Sequence, residues 1–306
     1  MVQKVDKIWI DGKYVNWDDA NVHILTHSLH YGLGVFEGVR CYQLSNGKSG
    51  FFRLREHLQR LHDSAKMFWL EPTFSIDDLV EKSIELYKIN KLKEGYLRPM
   101  MFIGEGAMGL YAIDNPLRTA LIAWPWGAYL GDDGVKNGIR VKVSSFNRLS
   151  MNVHLPKAKA SGNYINSILA KREAMLGGFQ EAIMLDSEGY VAEASGENIF
   201  VIRNGVVRTP PVSSSILNGI TRLSAIQILK DLNIPVIEEK IVREELYICD
   251  EIFLTGTAAE ITPVREVDHH TVGTGKPGPI TLETQSRFFE ATKGNIEEHM
   301  DWLEIF

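Results

Sequence analysis

Cysteine is scarce: Cys41 and Cys249 are the two in 306 residues, and neither belongs to a Cys-x-x-Cys pair. A chain of this length needs no disulfide staples, and a reduced, cytoplasmic setting suits such thiols best. Long apolar runs are also missing. The most apolar window, residues 119–130, is too short for a bilayer and is broken by Pro125 and Gly127. The amino-terminal residues have no apolar core ahead of a small-residue cleavage site, so they read as a first strand and not as an address. Basic excess is absent too: 33 Lys and Arg stand against 39 Asp and Glu, a net charge of −6, with no long basic run. Nucleic acid and membrane are therefore set aside as partners. What remains is 44% apolar and 24% charged residues, the balance of a folded globular chain, and enough length for two domains.

Asp11-Gly12 between KIWI and KYV signals a two-residue hairpin. Leu54, Leu58, Leu61 and Ala65 fall at helical spacing, as do Ile76, Leu79, Val80, Ile84 and Tyr87. YLRPMMFIG and RTALIAWPW read as strands. A smaller amino-terminal α+β domain is expected over residues 1–124. Residues 125–134 form a non-periodic stretch of aromatics, glycines and aspartates, which suits a linker. A larger α+β domain is expected over 135–306. In it IRVKVSSF alternates, Tyr164 to Ala174 and Ile220 to Leu232 have helical spacing, and EAIMLD, GYVAEAS and NIFVIRNGVVRTP form a strand series turning at Asn204-Gly205. EIFLTGTAAEITPV reads as one strand running into a glycine turn.

Several patterns invite chemistry. Gly104, Gly106 and Gly109 satisfy G-x-G-x-x-G, but Pro116 interrupts the helix a dinucleotide site requires, and no acidic residue ends a second strand at the right distance. His23, His27 and His30 could face one side of a helix, yet no carboxylate or cysteine lies among them, and they read as structural. No metal is expected. Lys157 and Lys159, in LPKAKASGNYIN, stand at a loop entering a helix. Taken locally they are two solvated lysines; a buried one could attack a carbonyl. Gly219 to Arg222 opens a helix and TGTAA at Thr255 to Ala259 makes a tight turn, so both offer backbone N–H groups to an anion, though simple capping explains either alone.

Together with HSLHYGLGVFEGVRCY, REHLQRLHDSAK, YLRPMMFIG, WPWGAYLG, KAKASGNYINS, EASGENIF, LNGITR and GTAAEITPV, these patterns make the chain resemble the fold-type IV pyridoxal-phosphate aminotransferases. Within them it resembles the branched-chain amino acid aminotransferases. The resemblance runs over nearly the whole chain. It implies a two-domain α+β fold like that of D-amino acid aminotransferase, pyridoxal 5′-phosphate in the interdomain cleft, and a homodimer or higher homo-oligomer. The implied reaction is ping-pong transfer of the amino group of leucine, isoleucine or valine to 2-oxoglutarate, giving branched 2-oxo acids and L-glutamate. D-Amino acid aminotransferase and aminodeoxychorismate lyase share the fold and the cofactor machinery. A non-catalytic small-molecule binder is a further alternative, one that would have no use for Lys159 with Glu193.

By position, Lys159 resembles the catalytic lysine that forms the internal aldimine and moves the substrate proton, leaving Lys157 a bystander. Glu193 resembles the carboxylate facing the pyridine nitrogen, where it keeps the ring an electron sink. Tyr164 matches the phenol near the ring oxygen, and Leu217 the residue packed on the ring. Arg60 matches the phosphate ligand, with Ile220, Thr221 and Thr257 as further donors. For substrate the resemblance implies an apolar pocket of Phe36, Tyr129 and Tyr164, completed by Tyr31 and Leu110 of the other subunit. It implies that Thr257 and Ala258 receive the α-carboxylate, and that Arg98 with Tyr96, Tyr31 and Tyr129 receives the second carboxylate of glutamate.

Overall fold

Asp11 and Gly12 both take positive φ, 48° and 88°, as a two-residue hairpin turn with the twist of its strands demands. They turn β1 (Lys7–Ile10) into β2 (Lys13–Asn16), with Ile10 opposite Lys13. The computed structural model describes residues 2–127 and 131–306. They fall into two units, each with its own core. The first holds the residues to Gly127, together with Ala158–Gly162 and Ala291–Phe306; the second holds residues from 131 to Lys157 and Asn163–Glu290.

In the first unit the hairpin is followed by α1 (His27–Tyr31), β3 (Gly34–Phe36), β4 (Val39–Gln43), β5 (Ser49–Phe52), α2 (Leu54–Met67), α3 (Ile76–Ile89), β6 (Gly95–Ile103) and β7 (Leu117–Trp124). Helix α2 buries Leu54, His57, Leu58, Leu61, Ser64 and Ala65, one stripe at three- and four-residue spacing. Helix α3 starts from a capping box in which Ser75 accepts from the Asp78 N–H and the Asp78 carboxylate accepts from the Ser75 N–H, satisfying two otherwise orphaned donors. Trp9, Val35, Phe51, Leu58, Leu61, Leu79, Leu86, Leu97 and Leu121 share one buried cluster.

The second unit contains α4 (Gly131–Asn137), β8 (Ile139–Val143), α5 (Tyr164–Leu176), β9 (Glu181–Leu185), β10 (Val191–Ala194), β11 (Asn198–Arg203), β12 (Val206–Thr209), α6 (Ile220–Asp231), β13 (Val236–Glu238), α7 (Glu245–Ile248), β14 (Glu251–Gly256), β15 (Glu260–Val267), β16 (His270–Thr271) and most of α8 (Pro279–Thr292). Its described strands form a mixed nine-stranded sheet ordered β10-β9-β8-β15-β14-β11-β12-β13, with β16 on β15. The chain closes with β17 (Leu303–Ile305), whose antiparallel pairing with β5 puts it at the edge of the first unit's eight-stranded sheet, ordered β17-β5-β4-β6-β7-β1-β2 with β3 on β6.

Four features depart from the sequence-based expectation. A helix, α4, begins at Gly131 inside the stretch read as a linker. EIFLTGTAAEITPV is a hairpin and not one strand: Gly256 pairs with Glu260, whose φ of 56° closes the turn. Helix α8 carries no local start signal beyond Pro279, because its first N–H groups, those of Ile280 and Thr281, are received by the Glu251 carboxylate of β14 at 3.2 and 2.8 Å. Finally, Ala291–Phe306 joins the first unit through β17, whereas a single cut at the linker would assign it to the second. No helix among the described residues is long and apolar enough to cross a membrane.

The capping box sets a direct test of α3. Ser75→Ala should lower the stability of the protein by about 1 kcal/mol, read as a reduced urea midpoint at unchanged slope. Ser75→Ala and Asp78→Ala together should cost less than their sum, because the two bonds form as one unit.

Candidate active site

Lys159 belongs to the first unit although its chain neighbours on both sides belong to the second. Its N–H donates to Ser64 Oγ at 3.1 Å, its carbonyl accepts from the Phe36 N–H at 3.0 Å, and the next residue forms an antiparallel bridge, Val35 to Ala160. With both main-chain groups tied, the side chain of Lys159 has a defined root. Its Nζ lies 5.3 Å from the centroid of the Phe36 ring. Lys159 is half-buried, whereas Lys157 is exposed.

Helix α2 serves this segment with one face, because His57, Arg60 and Ser64 sit three and seven residues apart along it. Ser64 holds the lysine backbone. Arg60 donates through Nε and Nη2 to the two oxygens of Glu37 at 2.6 and 3.0 Å, and His57 Nδ1 donates to the same carboxylate at 2.6 Å. Glu37 is fully buried, and burial alone would raise its carboxyl; the Arg60 guanidinium, with His57, holds it far below the usual carboxylate range instead. Burial pushes His57 down, with Arg60 and Lys159 adding to the effect against the pull of Glu37. We therefore take the ring as neutral and Arg60 as the cation that keeps Glu37 ionised.

Tyr96 and Arg98 stand on β6 of the same unit. Arg98 is packed among rings, with its guanidinium carbon 4.7 Å from the centroid of Phe36, 5.5 Å from Tyr96 and 6.0 Å from Trp124. Its Nε is buried and has no hydrogen-bond partner among the described residues. A planar cation with an open donor is suited to receive a carboxylate. Tyr31 and Leu110 are exposed on the surface of the same unit, at 46% and 92%. Tyr129 lies outside the described residues.

In the second unit the buried carboxylate of Glu193, on β10, is the organising group. Its Oε1 accepts from Arg148 Nε at 2.7 Å, and its Oε2 accepts from Asn198 Nδ2 and from the Leu217 N–H, both at 3.1 Å. Asn198 Nδ2 also donates to the Leu217 carbonyl at 2.8 Å. Its Oδ1 lies where a side chain at Gly219 would begin, 2.1 Å from an added Cβ, so glycine is required there. This packing brings the start of α6 against the Glu193 cluster. Gly219 caps α6 without a side-chain bond, and Ile220 and Thr221 supply the first N–H groups, donors with no partner inside the helix. Asn198 also pairs with Thr255 across β11 and β14, which brings the Gly256–Glu260 turn with Thr257 and Ala258 to the same end of the sheet. Buried Thr255 Oγ1 has no partner among the described residues. Tyr164 opens α5, which is tied to Glu193 through Arg148 Nη1 and Ser167 Oγ at 3.2 Å.

Each unit by itself offers groups that suit a phosphorylated pyridine ring. The first has a lysine for a carbonyl and an arginine for a dianion; the second has a buried carboxylate for a protonated ring nitrogen, helix-start and turn N–H groups for an anion, and an aliphatic residue, Leu217, tied directly to that carboxylate. Arg148 on Glu193, Glu37 with His57 on Arg60, and Ser64 on the Lys159 backbone were not picked out from sequence. Glu37 and His57 lie inside motif blocks but carry no spacing signal, and Arg148 meets Glu193 only through the fold. In the His23–His27–His30 series, His30 Nε2 donates to the Ile24 carbonyl at 2.8 Å and His23 lies 3.5 Å from Glu105. Gly104 to Gly109 sits in the β6–β7 loop with no helix behind it.

The class IV aminotransferase family model matches residues 34–267, and the chain belongs to that family. A branched-chain-amino-acid aminotransferase of Pseudomonas aeruginosa is 46% identical over 305 residues, covering 100% of this chain and 99% of the relative. The crystal structure of the branched-chain amino acid aminotransferase of Escherichia coli superposes with a TM-score of 0.95 at 46% identity, covering 98% and 99% of the two chains. That of the branched-chain amino acid aminotransferase of Thermobaculum terrenum, in its PLP-bound holo-form, superposes with a TM-score of 0.92 at 31% identity, covering 99% and 98%.

A second buried carboxylate pair lies beside this cluster. Glu181 accepts from Lys171 Nζ and from Ser195 Oγ, each at 2.5 Å, while Glu197 is pushed up to about 8 by burial and then by the charge of Glu181. A neutral Glu197 contributes stability that is complete below its ordinary value of 4.5 and is lost as pH rises through about 8. Glu197→Gln should therefore flatten the fall in stability between those two limits and raise the melting temperature at pH 8 relative to the unaltered protein. An unchanged pH profile would rule out the raised Glu197 carboxyl.

Proposed function

We propose that the chain transfers the amino group of leucine, isoleucine or valine to 2-oxoglutarate, yielding the branched 2-oxo acid and L-glutamate, with pyridoxal 5′-phosphate as its resident cofactor. The observation that carries this reading is Lys159, rooted at both its main-chain groups, in a chain of the class IV aminotransferase family. When bound, the cofactor supplies the carbonyl that accepts the amino group and the electron sink that makes the α-proton removable.

The chain's own residues do the rest. Lys159 Nζ takes the α-proton from the amino acid and delivers it to the other end of the transfer, then reverses the order for 2-oxoglutarate. Glu193, held by Arg148, Asn198 and the Leu217 N–H, keeps a negative charge facing the ring nitrogen. Arg60, fixed by Glu37, holds the phosphate with Ile220, Thr221 and Thr257. With the cofactor bound, Tyr164 would serve its ring oxygen and Leu217 would pack on its ring. Phe36 and Tyr164 are the apolar side chains this reading assigns to the substrate, and Thr257 and Ala258 would receive the α-carboxylate. Arg98, whose buried Nε lacks a partner among the described residues, receives with Tyr96 the second carboxylate of glutamate. The reading includes at least a homodimer, in which Tyr31 and Leu110 serve the other subunit's pocket, and a cytoplasmic location.

The first test is the visible absorption of the purified protein before and after L-leucine, with no oxo acid present. The cofactor band should be lost on adding leucine and return on adding 2-oxoglutarate. A band that ignores L-leucine but responds to D-alanine would replace the assignment with a D-amino acid aminotransferase. Lys159→Ala should cut turnover by about a thousandfold or more at unchanged circular dichroism, whereas Lys157→Ala should stay near the unaltered rate. Glu193→Gln should lower kcat by about a hundredfold while KM moves by less than about threefold; an unchanged kcat would remove Glu193 from its role.

A further inference from the structure

The buried histidine of α1 has no part in the chemistry proposed above. His27 is 3% exposed. Its N–H donates to the Gly104 carbonyl at 3.1 Å, and its ring Nε2 lies 2.8 Å from the carbonyl oxygen of Gly109. A carbonyl only accepts, so Nε2 carries the proton. Nδ1 is buried and has no partner among the described residues. The ring also packs on Tyr31, centroid to centroid 4.6 Å at 33°. One imidazole therefore touches both α1 and the tip of the loop between β6 and β7.

That loop is closed at its base by different contacts. Asn115 clamps Ala107 from both sides, its Oδ1 accepting from the Ala107 N–H at 2.8 Å and its Nδ2 donating to the Ala107 carbonyl at 3.0 Å. Gly106 leaves room for that amide, since an added Cβ would lie 2.3 Å from Asn115 Oδ1. Gly109 stands beyond the clamp at φ 146°, with nothing within 4 Å of where a side chain would start, so its tie to α1 runs through its main chain: the carbonyl that accepts from His27. The residue after Gly109 is Leu110, 92% exposed, and the ring under His27 is Tyr31, 46% exposed. Both exposed side chains thus neighbour groups that one buried ring touches: Leu110 follows Gly109, and Tyr31 packs on the ring itself.

We propose that His27 is a positioning residue for substrate choice: by bonding Gly109 and packing on Tyr31 it presents Tyr31 and Leu110 as one rigid element to the neighbouring subunit's substrate pocket. This rests on the proposed function, which sends those two side chains there. The ring acts at a distance from the chemistry and touches neither cofactor nor reacting atoms. Its effect falls on how well an aliphatic side chain is enclosed and not on proton transfer.

The test uses the cofactor-loaded enzyme and two variants. His27→Phe keeps a ring over Tyr31 but has no N–H for Gly109; His27→Gln keeps a donor near the position of Nε2. In His27→Phe, KM for L-leucine should rise about tenfold while kcat changes by less than about threefold, and preference for L-leucine over L-alanine should fall about fivefold. His27→Gln should recover most of the loss. Amide hydrogen exchange over residues 105–113, read without substrate, should be at least about tenfold faster in His27→Phe and near the unaltered rate in His27→Gln. Unchanged exchange in His27→Phe overturns the proposal, as does faster exchange with an unaltered KM. If His27→Phe does not fold, amides 108–111 of the unaltered protein exchanging at the rate of a free peptide overturn it as well, and protection there supports it. Failure of the unaltered enzyme to transaminate L-leucine would fall on the proposed function, and the exchange measurement, which needs no substrate, still decides whether His27 holds the loop.

Discussion

Five residues, Ala158–Gly162, are built into the first unit while the chain on either side of them belongs to the second. The bridge from Val35 to Ala160, with the Phe36 N–H on the Lys159 carbonyl and the Lys159 N–H on Ser64, makes that placement rigid. A lysine in a free loop would lose several rotatable bonds' worth of entropy each time it reached its target, whereas one rooted at both main-chain groups has already lost the backbone part. Helix α2 supplies the support. Its buried leucines face the core, and the adjoining stripe of His57, Arg60 and Ser64 holds Glu37 and the lysine backbone together. Stability of the first core and placement of Lys159 are thus two uses of one helix.

Two buried carboxylates show how the protein controls charge. Glu37 and Glu193 each have a buried or nearly buried arginine at hydrogen-bond distance and further donors on the remaining lone pairs. An unpaired carboxylate in such surroundings would take up a proton. Pairing keeps Glu37 ionised so that it can fix Arg60, and the same arrangement of donors surrounds Glu193, which the proposed chemistry needs negative. Glu197 is the contrast. Its neighbour Glu181 already engages Lys171, so the pair has one cation for two acids, and the proton stays. Substituting one partner of these clusters should cost more than the same change on the surface, because the group left behind is buried.

The legible parts of the sequence were those with a local cause. The Asp11-Gly12 and Asn204-Gly205 turns, the stripes of α2 and α3, the start of α6 at Gly219 and the family blocks around Lys159 and Glu193 are short-range patterns. The parts that were not legible have partners far away in the chain. Helix α8 is capped by Glu251, β15 reverses from β14 through a left-handed Glu260, and Phe306 returns to the first unit through β17. Arg148 and Glu193 are 45 positions apart and His27 and Gly109 are 82 apart; nothing near either residue signals the other.

The order of residues carried the resemblance to the family, and with it the class of reaction and the residue types that such chemistry demands, because the blocks that bear the resemblance are motifs of a few to some sixteen residues. Tertiary structure alone decided which charges meet. Only folding could place Glu37 under Arg60, Arg148 beside Glu193 and His27 against the Gly109 carbonyl, since a hydrogen bond depends on distance and direction in space, and the order of residues along a chain specifies neither.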